Sequence, residues 1–195
     1  MKTIIIFLFS LFLLSCKESA PLPKPRSYPK VDYPDKAYKL FSQSSCPMQC
    51  EIPVYSIVEN DSTFFDGRPR SDCWFNIKFP DFNGLIFCSY IPITHRDSLT
   101  KCIRDAYKLA QQHQQKANYV DEIPIRKPNH VSGIVFNLEG ASASPFQFYL
   151  TDSSKHFLRG SLYFNTKTRP DSIAPIAEFI KQDIIHMMNT FEWRN

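Results

Sequence analysis

The sequence predicts an α+β fold: a mainly antiparallel sheet with two helices packed on it. Three observations predict it. Phe146 to Thr151 and His156 to Phe164 alternate with a period of two around Asp152-Ser153-Ser154-Lys155, the pattern of a β-hairpin. Ile173, Ile176, Ala177, Ile180, Ile184, Met187, Met188 and Phe191 then recur three and four residues apart, the stripe of an amphipathic helix. The whole chain reads strand, strand, strand, helix, strand, strand, strand, helix, with short links that favour antiparallel pairing.

Taken in order, the N-terminus opens with Lys2 and an apolar run, Ile4 to Leu14, broken only by Ser10. The run is too short to span a membrane comfortably and has the flanks of a signal peptide. It ends in Leu13-Leu14-Ser15-Cys16, which resembles the bacterial lipobox, where the signal is cut before the cysteine and lipid is attached to it. The expected organisation is a signal peptide at 1–15, a lipidated Cys16 and proline-rich tether at 16–50, and one globular α+β domain at 51–195. Pro21, Pro23, Pro25, Pro29 and Pro34 hold the tether extended and exclude a helix there. Lys24, Arg26 and Lys30 read as solubilising linker charge ahead of headgroup contacts.

Ile52 to Val58 is the first expected strand, with Tyr28 to Tyr33 a candidate edge strand and Asn60 to Ser71 a polar loop. Cys73 to Phe79 and Leu85 to Ile91 form a hairpin through Pro80-Asp81-Phe82-Asn83-Gly84. Asp97 suits the cap of a helix running to about Ala117, with Leu99, Cys102, Ile103, Ala106, Leu109 and Ala110 inward. Its end, Gln111 to Lys116, is polar all round and reads as solvated. Ile123 to Arg126 is a short edge strand, followed by Val131 to Leu138 and the turn Glu139 to Ala143. Asp171 or Ser172 is the expected cap of the last helix, which places Pro175 in the first turn, where proline is tolerated. This element order resembles the Mog1/PsbP-like α-β-α sandwich.

Composition narrows the function. A net charge of +4 over 195 residues is no nucleic-acid footprint. Fifteen prolines against five glycines favour an ordered chain with rigid turns, and seventeen phenylalanines supply its core. Export permits disulfides, and five cysteines follow Cys16, so at least one stays unpaired within the chain. Cys73 and Cys88 fall on adjacent expected strands and are candidates for pairing. Cys102 reads as a small buried hydrophobe. Cys46-Pro-Met-Gln-Cys50 has no second ligand pair and no nearby histidine, which argues against zinc. No phosphate loop, dinucleotide fingerprint or HExxH motif is present, so no metal or cofactor is expected.

Gly140-Ala141-Ser142-Ala143-Ser144 is a near miss to a nucleophile elbow, with Asp171 and His186 following in hydrolase order. The elbow requires a strand-to-helix turn, and this one joins two strands. Asp171 is better explained as a helix cap and His186 as a half-buried or exposed helix residue. Asp152 suits a turn that bonds its own backbone, and His156 and Arg159 fall on opposite strand faces, which disfavours a shared acid–base site. Trp74 and Trp193 read as core or rim rather than sugar platforms. The polar parity class of the hairpin is the candidate interaction surface: Gln147, Tyr149, Arg159, Ser161 and Tyr163, expected on the wet face of the sheet.

From the lipobox to the C-terminus the chain resembles the gliding motility lipoprotein GldD family of Bacteroidota. The blocks that carry the resemblance are Pro23-Lys24-Pro25-Arg26-Ser27-Tyr28, Cys73-Trp74-Phe75-Asn76-Ile77, Gln147 to Ser153, His156 to Phe164, and Asp171-Ser172-Ile173-Ala174-Pro175. Departures are Ser27, where the family is expected to carry glycine, and the extra cysteines Cys50, Cys88 and Cys102. The resemblance implies a cell-envelope lipoprotein needed for gliding and tied to type IX secretion. It implies no enzyme activity, cofactor or catalytic residue. Its implied partners are the membrane, through lipid on Cys16, and other gliding or secretion proteins of the envelope. The competing reading is a surface or periplasmic lipoprotein that binds glycan through an aromatic shelf including Trp74, or hydrolyses through Ser142, Asp171 and His186.

Overall fold

The computed structural model describes residues 30–61, 71–114, 117–165 and 170–194. Cys16, the signal segment, the first portion of the tether and most of the Asn60–Ser71 loop lie outside the described residues. Among the described residues, ten strands and two helices follow in order: β1 (Tyr38–Phe41), β2 (Met48–Pro53), β3 (Ile57–Asn60), β4 (Trp74–Phe79), β5 (Gly84–Pro92), α1 (Arg96–Gln114), β6 (Ala117–Arg126), β7 (Ser132–Gly140), β8 (Phe146–Thr151), β9 (His156–Phe164), α2 (Pro170–Thr190) and β10 (Glu192–Trp193). Seven of the strands form one antiparallel sheet in the order β3-β4-β5-β9-β8-β7-β6, and β1-β2-β10 form a second, smaller sheet.

The hairpins form where the sequence places them. Pro80–Phe82 makes a single 3-10 turn, and Asn83 takes the left-handed conformation (φ 48°) that closes β4 onto β5. Gln147 faces Ser161 and Tyr149 faces Arg159 across β8 and β9, so the expected strand parity holds. Gly160 is required on the opposite face. A β-carbon there would lie 2.2 Å from the Phe148 ring, so glycine lets that ring lie flat on the sheet. β6 is an edge strand, which is why it accommodates Pro124.

Each face of the large sheet carries one helix. Beneath α2, Phe75, Ile77, Ile86, Phe148, Leu158 and Leu162 pack with Ile180, Ile184, Met187 and Phe191. Beneath α1, Phe136, Leu138, Tyr149 and Phe157 pack with Cys102, Ala106 and Ala110. The result is an α-β-α sandwich, with the small sheet joined to the α2 side.

Several local expectations require correction. The strand expected at Ile52–Val58 is broken by a turn at Val54-Tyr55, because Pro53 supplies no ladder donor, and its halves join different sheets. Residues 30–33 are not strand. The folded body begins well before residue 51: β1 pairs with β2, and the chain from Lys36 onward is fastened to α2. Leu109 is 37% exposed rather than inward, and His113, expected in solvent, is half-buried. α2 starts at Pro170, so Pro175 lies inside the helix rather than in its first turn.

Three fastenings hold the layers together. The Asp183 carboxylate of α2, 1% exposed, accepts from Lys36 Nζ (2.6 Å), the Tyr55 hydroxyl (2.5 Å) and the Tyr38 hydroxyl (3.1 Å). Burial, then the bond to Asp183, pushes the Tyr38 phenol up to about 12. Lys127 Nζ donates to the carbonyls of Met188, Asn189 and Phe191 at 2.8–3.0 Å, closing the C-terminus of α2 with a cation. A Cys46–Cys73 disulfide joins the entrance of β2 to that of β4. Cys73 therefore pairs with Cys46 and not with Cys88, which stands opposite Phe75, and Cys50, Cys88 and Cys102 are buried thiols.

Two stability measurements follow. Lys36→Met leaves a buried carboxylate without its cation, and urea unfolding should show a loss of about 2–3 kcal/mol, below the range for a fully buried pair because the Lys36 side chain is 28% exposed. Cys46→Ser should cost about 2–5 kcal/mol, and reducing agent should bring the wild type down to the same midpoint.

Candidate functional site

The five side chains expected on a wet sheet face sit instead beside and beneath α1. That helix crosses β6, β7, β8 and β9, and Cys102, Ala106 and Ala110, four residues apart, allow it to approach closely. Gln147 (1% exposed), Tyr149 and Ser161 (0%) are consequently buried. Arg159 and Tyr163 are half-buried and are the two of the five that reach the surface.

This polar strip is built around Arg159. Its Nη2 donates to Gln147 Oε1 at 2.7 Å. The Tyr163 hydroxyl meets His113 Nε2 at 2.9 Å, bringing the last turn of α1 down onto β9. Burial, and then the nearby Arg159 charge, lowers the His113 pKa, so the imidazole is neutral near neutral pH. Burial also lowers the Arg159 pKa, though an arginine remains charged. Phe87, 41% exposed, stands opposite Ser161 on β5 and meets Tyr163 edge to face. This arrangement can receive a ligand group.

Of the hydrolase trio, Ser142 and His186 are engaged elsewhere, and the Asp171 side chain lies outside the described residues. Ser142 lies in a strand-to-strand turn and donates to the Ser144 carbonyl at 3.1 Å. His186 Nε2 meets Glu51 Oε2 at 2.6 Å, and its ring stacks on Tyr38. The two residues thus have different partners. His156 Nδ1 bonds the Tyr90 hydroxyl at 2.8 Å and its ring stacks on Trp193, so Trp193 belongs to an aromatic cluster with Phe191. Trp74 donates its indole N–H to the Tyr90 carbonyl. Among the described residues no group of three or more His, Cys, Asp or Glu is placed to hold a metal ion.

Asp152 is the turn builder that the sequence indicates. One oxygen accepts the N–H groups of Ser154, Lys155 and His156, and the other accepts the Ser154 hydroxyl. Partial burial alone would raise its pKa, but these four bonds outweigh it and hold the carboxyl at about 2. Sequence reasoning missed the Asp183 clasp. The available signal was an acid three residues from Ile180 and four from Met187, on the apolar stripe itself.

A family model described as gliding motility lipoprotein GldD matches residues 18–193. No curated protein matches the chain. Among solved structures, the solution structure of cyanobacterial PsbP (CyanoP) from Synechocystis sp. PCC 6803 is similar, with a TM-score of 0.45 and 10% identity over 85% of this chain and 97% of that one.

Ser142→Ala should fold and cost about 1 kcal/mol in denaturant unfolding, the worth of one ordinary buried hydrogen bond. For Asp152 the folded pKa lies below the unfolded value, so its contribution is complete above about pH 4. Asp152→Asn should therefore be less stable than wild type at pH 7, with the gap narrowing as pH falls from about 4 towards 2. A gap independent of pH in calorimetry would contradict the assignment.

Proposed function

The chain belongs to the gliding motility lipoprotein GldD family, and from that premise we propose that it is held in the cell envelope by lipid on Cys16 and acts by contact with other proteins of the gliding and type IX secretion machinery. The family match, which spans 176 residues from 18 to 193, carries this reading. Two features of the chain support it. Leu13-Leu14-Ser15-Cys16 follows an apolar run of signal-peptide length, so that Cys16 would supply the thiol for acylation. The polar strip around Arg159 has the makings of a receiving surface and not of a reaction centre: a guanidinium, an amide and hydroxyls, with an exposed aromatic beside them. Of the five residues expected to form a contact surface, Arg159 and Tyr163 are the ones assigned to direct contact. Gln147, Tyr149 and Ser161 would shape it from beneath.

Cys16→Ser should abolish incorporation of labelled fatty acid and shift the protein from the membrane to the soluble fraction. Labelling of the variant would contradict lipid attachment at Cys16. Crosslinking and pull-down of the native lipoprotein should recover envelope proteins of the gliding or secretion machinery. A deletion strain with unchanged gliding and type IX secretion would overturn the role.

A further inference from the structure

A half-buried arginine ordinarily has a carboxylate partner, because an unpaired charge out of water is costly. Arg159 has none among the described residues. Its one hydrogen bond goes to the neutral Gln147 amide oxygen, which leaves most of its donors unused. Beside it stand two further orphans. Gln147 Nε2 and Ser161 Oγ are both buried and neither has a hydrogen-bond partner among the described residues. They face each other across β8 and β9, next to the Tyr149–Arg159 pair. The C-terminal turn of α1 comes near through His113, but its partial negative end is at most about half a charge. Among the described residues the strip thus holds three kinds of donor, and the Glu122 carboxylate of β6 acts on Tyr149 and Tyr107 rather than on Arg159.

We infer that this strip is a carboxylate-binding site: the Arg159 guanidinium takes the carboxylate in its fork, with Gln147 and Ser161 buried beneath it. One net positive charge matches a monoanion. A phosphate, close to two negative charges at neutral pH, would be left with excess charge in a partly desolvated place. His113 does not supply the second cation that phosphate would need, since it sits neutral and already bonded to Tyr163. A planar fork also suits the two coplanar oxygens of a carboxylate. The exposed Phe87 ring, packed on Tyr163, offers apolar contact to whatever carries the group. The carboxylate can come from an acidic side chain of a protein partner or from a small free acid. The inference deepens the partner-contact reading and rests on it only for the first of these sources.

The test uses the full chain purified in detergent, with the Arg159 side-chain N–H resonance as readout, identified by its absence in Arg159→Met. The probes are sodium acetate, sodium succinate and a hexaglutamate peptide, each against sodium chloride at equal ionic strength. Expected is a saturable shift with at least one carboxylate probe beyond that of chloride. In parallel, the same probe should raise the thermal midpoint of wild type and not of Arg159→Met. A response to peptide alone assigns the site to a protein partner, and a response to acetate or succinate alone assigns it to a small acid. No carboxylate-specific response in wild type, or an undiminished thermal response in Arg159→Met, would overturn the inference. Because this binding needs no partner, its failure leaves the envelope role standing. Failure of the deletion test would remove that role and leave the site.

Discussion

The docking of β1 and β2 against α2 turns on one buried carboxylate. Asp183 lies on the face of α2 that the rest of the helix gives to aliphatic and sulfur side chains, and an ionised group there is stable only with partners. It draws Lys36, Tyr38 and Tyr55 from the segment that carries β1 and β2, and so sets where the small sheet docks. The Lys36 ammonium also donates to the Phe179 carbonyl and lies over that ring, so one lysine meets helix backbone, ring and carboxylate together. The other end of α2 is closed by Lys127, from the β6–β7 loop, so cations from two distant loops secure this helix.

The two faces of the large sheet are made differently. The α2 face is apolar and deep, filled by phenylalanine and branched side chains. The α1 face is mixed, with an apolar region under Ala106 and Ala110 and a polar region that continues towards Phe87. The buried Lys36–Asp183 ion pair and the disulfide lie on the first side. Buried polar atoms stay unsatisfied on both sides: Gln147 Nε2 and Ser161 Oγ beneath α1, and Trp193 Nε1 and Arg194 Nε by the small sheet.

The sequence carried the architecture better than the site. Period-two and period-3.6 patterns placed β4, β5, β7, β8, β9 and both helices, because those segments bury one face each. β1 was hidden, since a four-residue strand with only Phe41 fully buried has almost no periodicity of its own. The cysteine pairing was equally hidden, since five candidates and no geometry leave many choices. The interaction strip was correct in parity and wrong in exposure. Alternation tells which residues share a face but not whether a second layer covers it. The clue lay on another element, in the Cys102, Ala106 and Ala110 spacing that lets a helix sit close.

The Cys46–Cys73 bridge has a mechanical consequence. A pull applied through the N-terminus reaches Lys36 and then Tyr38, at the open end of the β1–β2 pair, where ladder bonds break in succession rather than together. Peeling can proceed past Phe41 only as far as Cys46. There a covalent bond carries the load across to Cys73 at the start of β4, one strand in from the edge of the large sheet, and bypasses the 26 residues between. The domain is therefore built with a short yielding segment followed by a hard stop. Thiol chemistry, and not strand pairing, sets how far tension on the tether can unravel it.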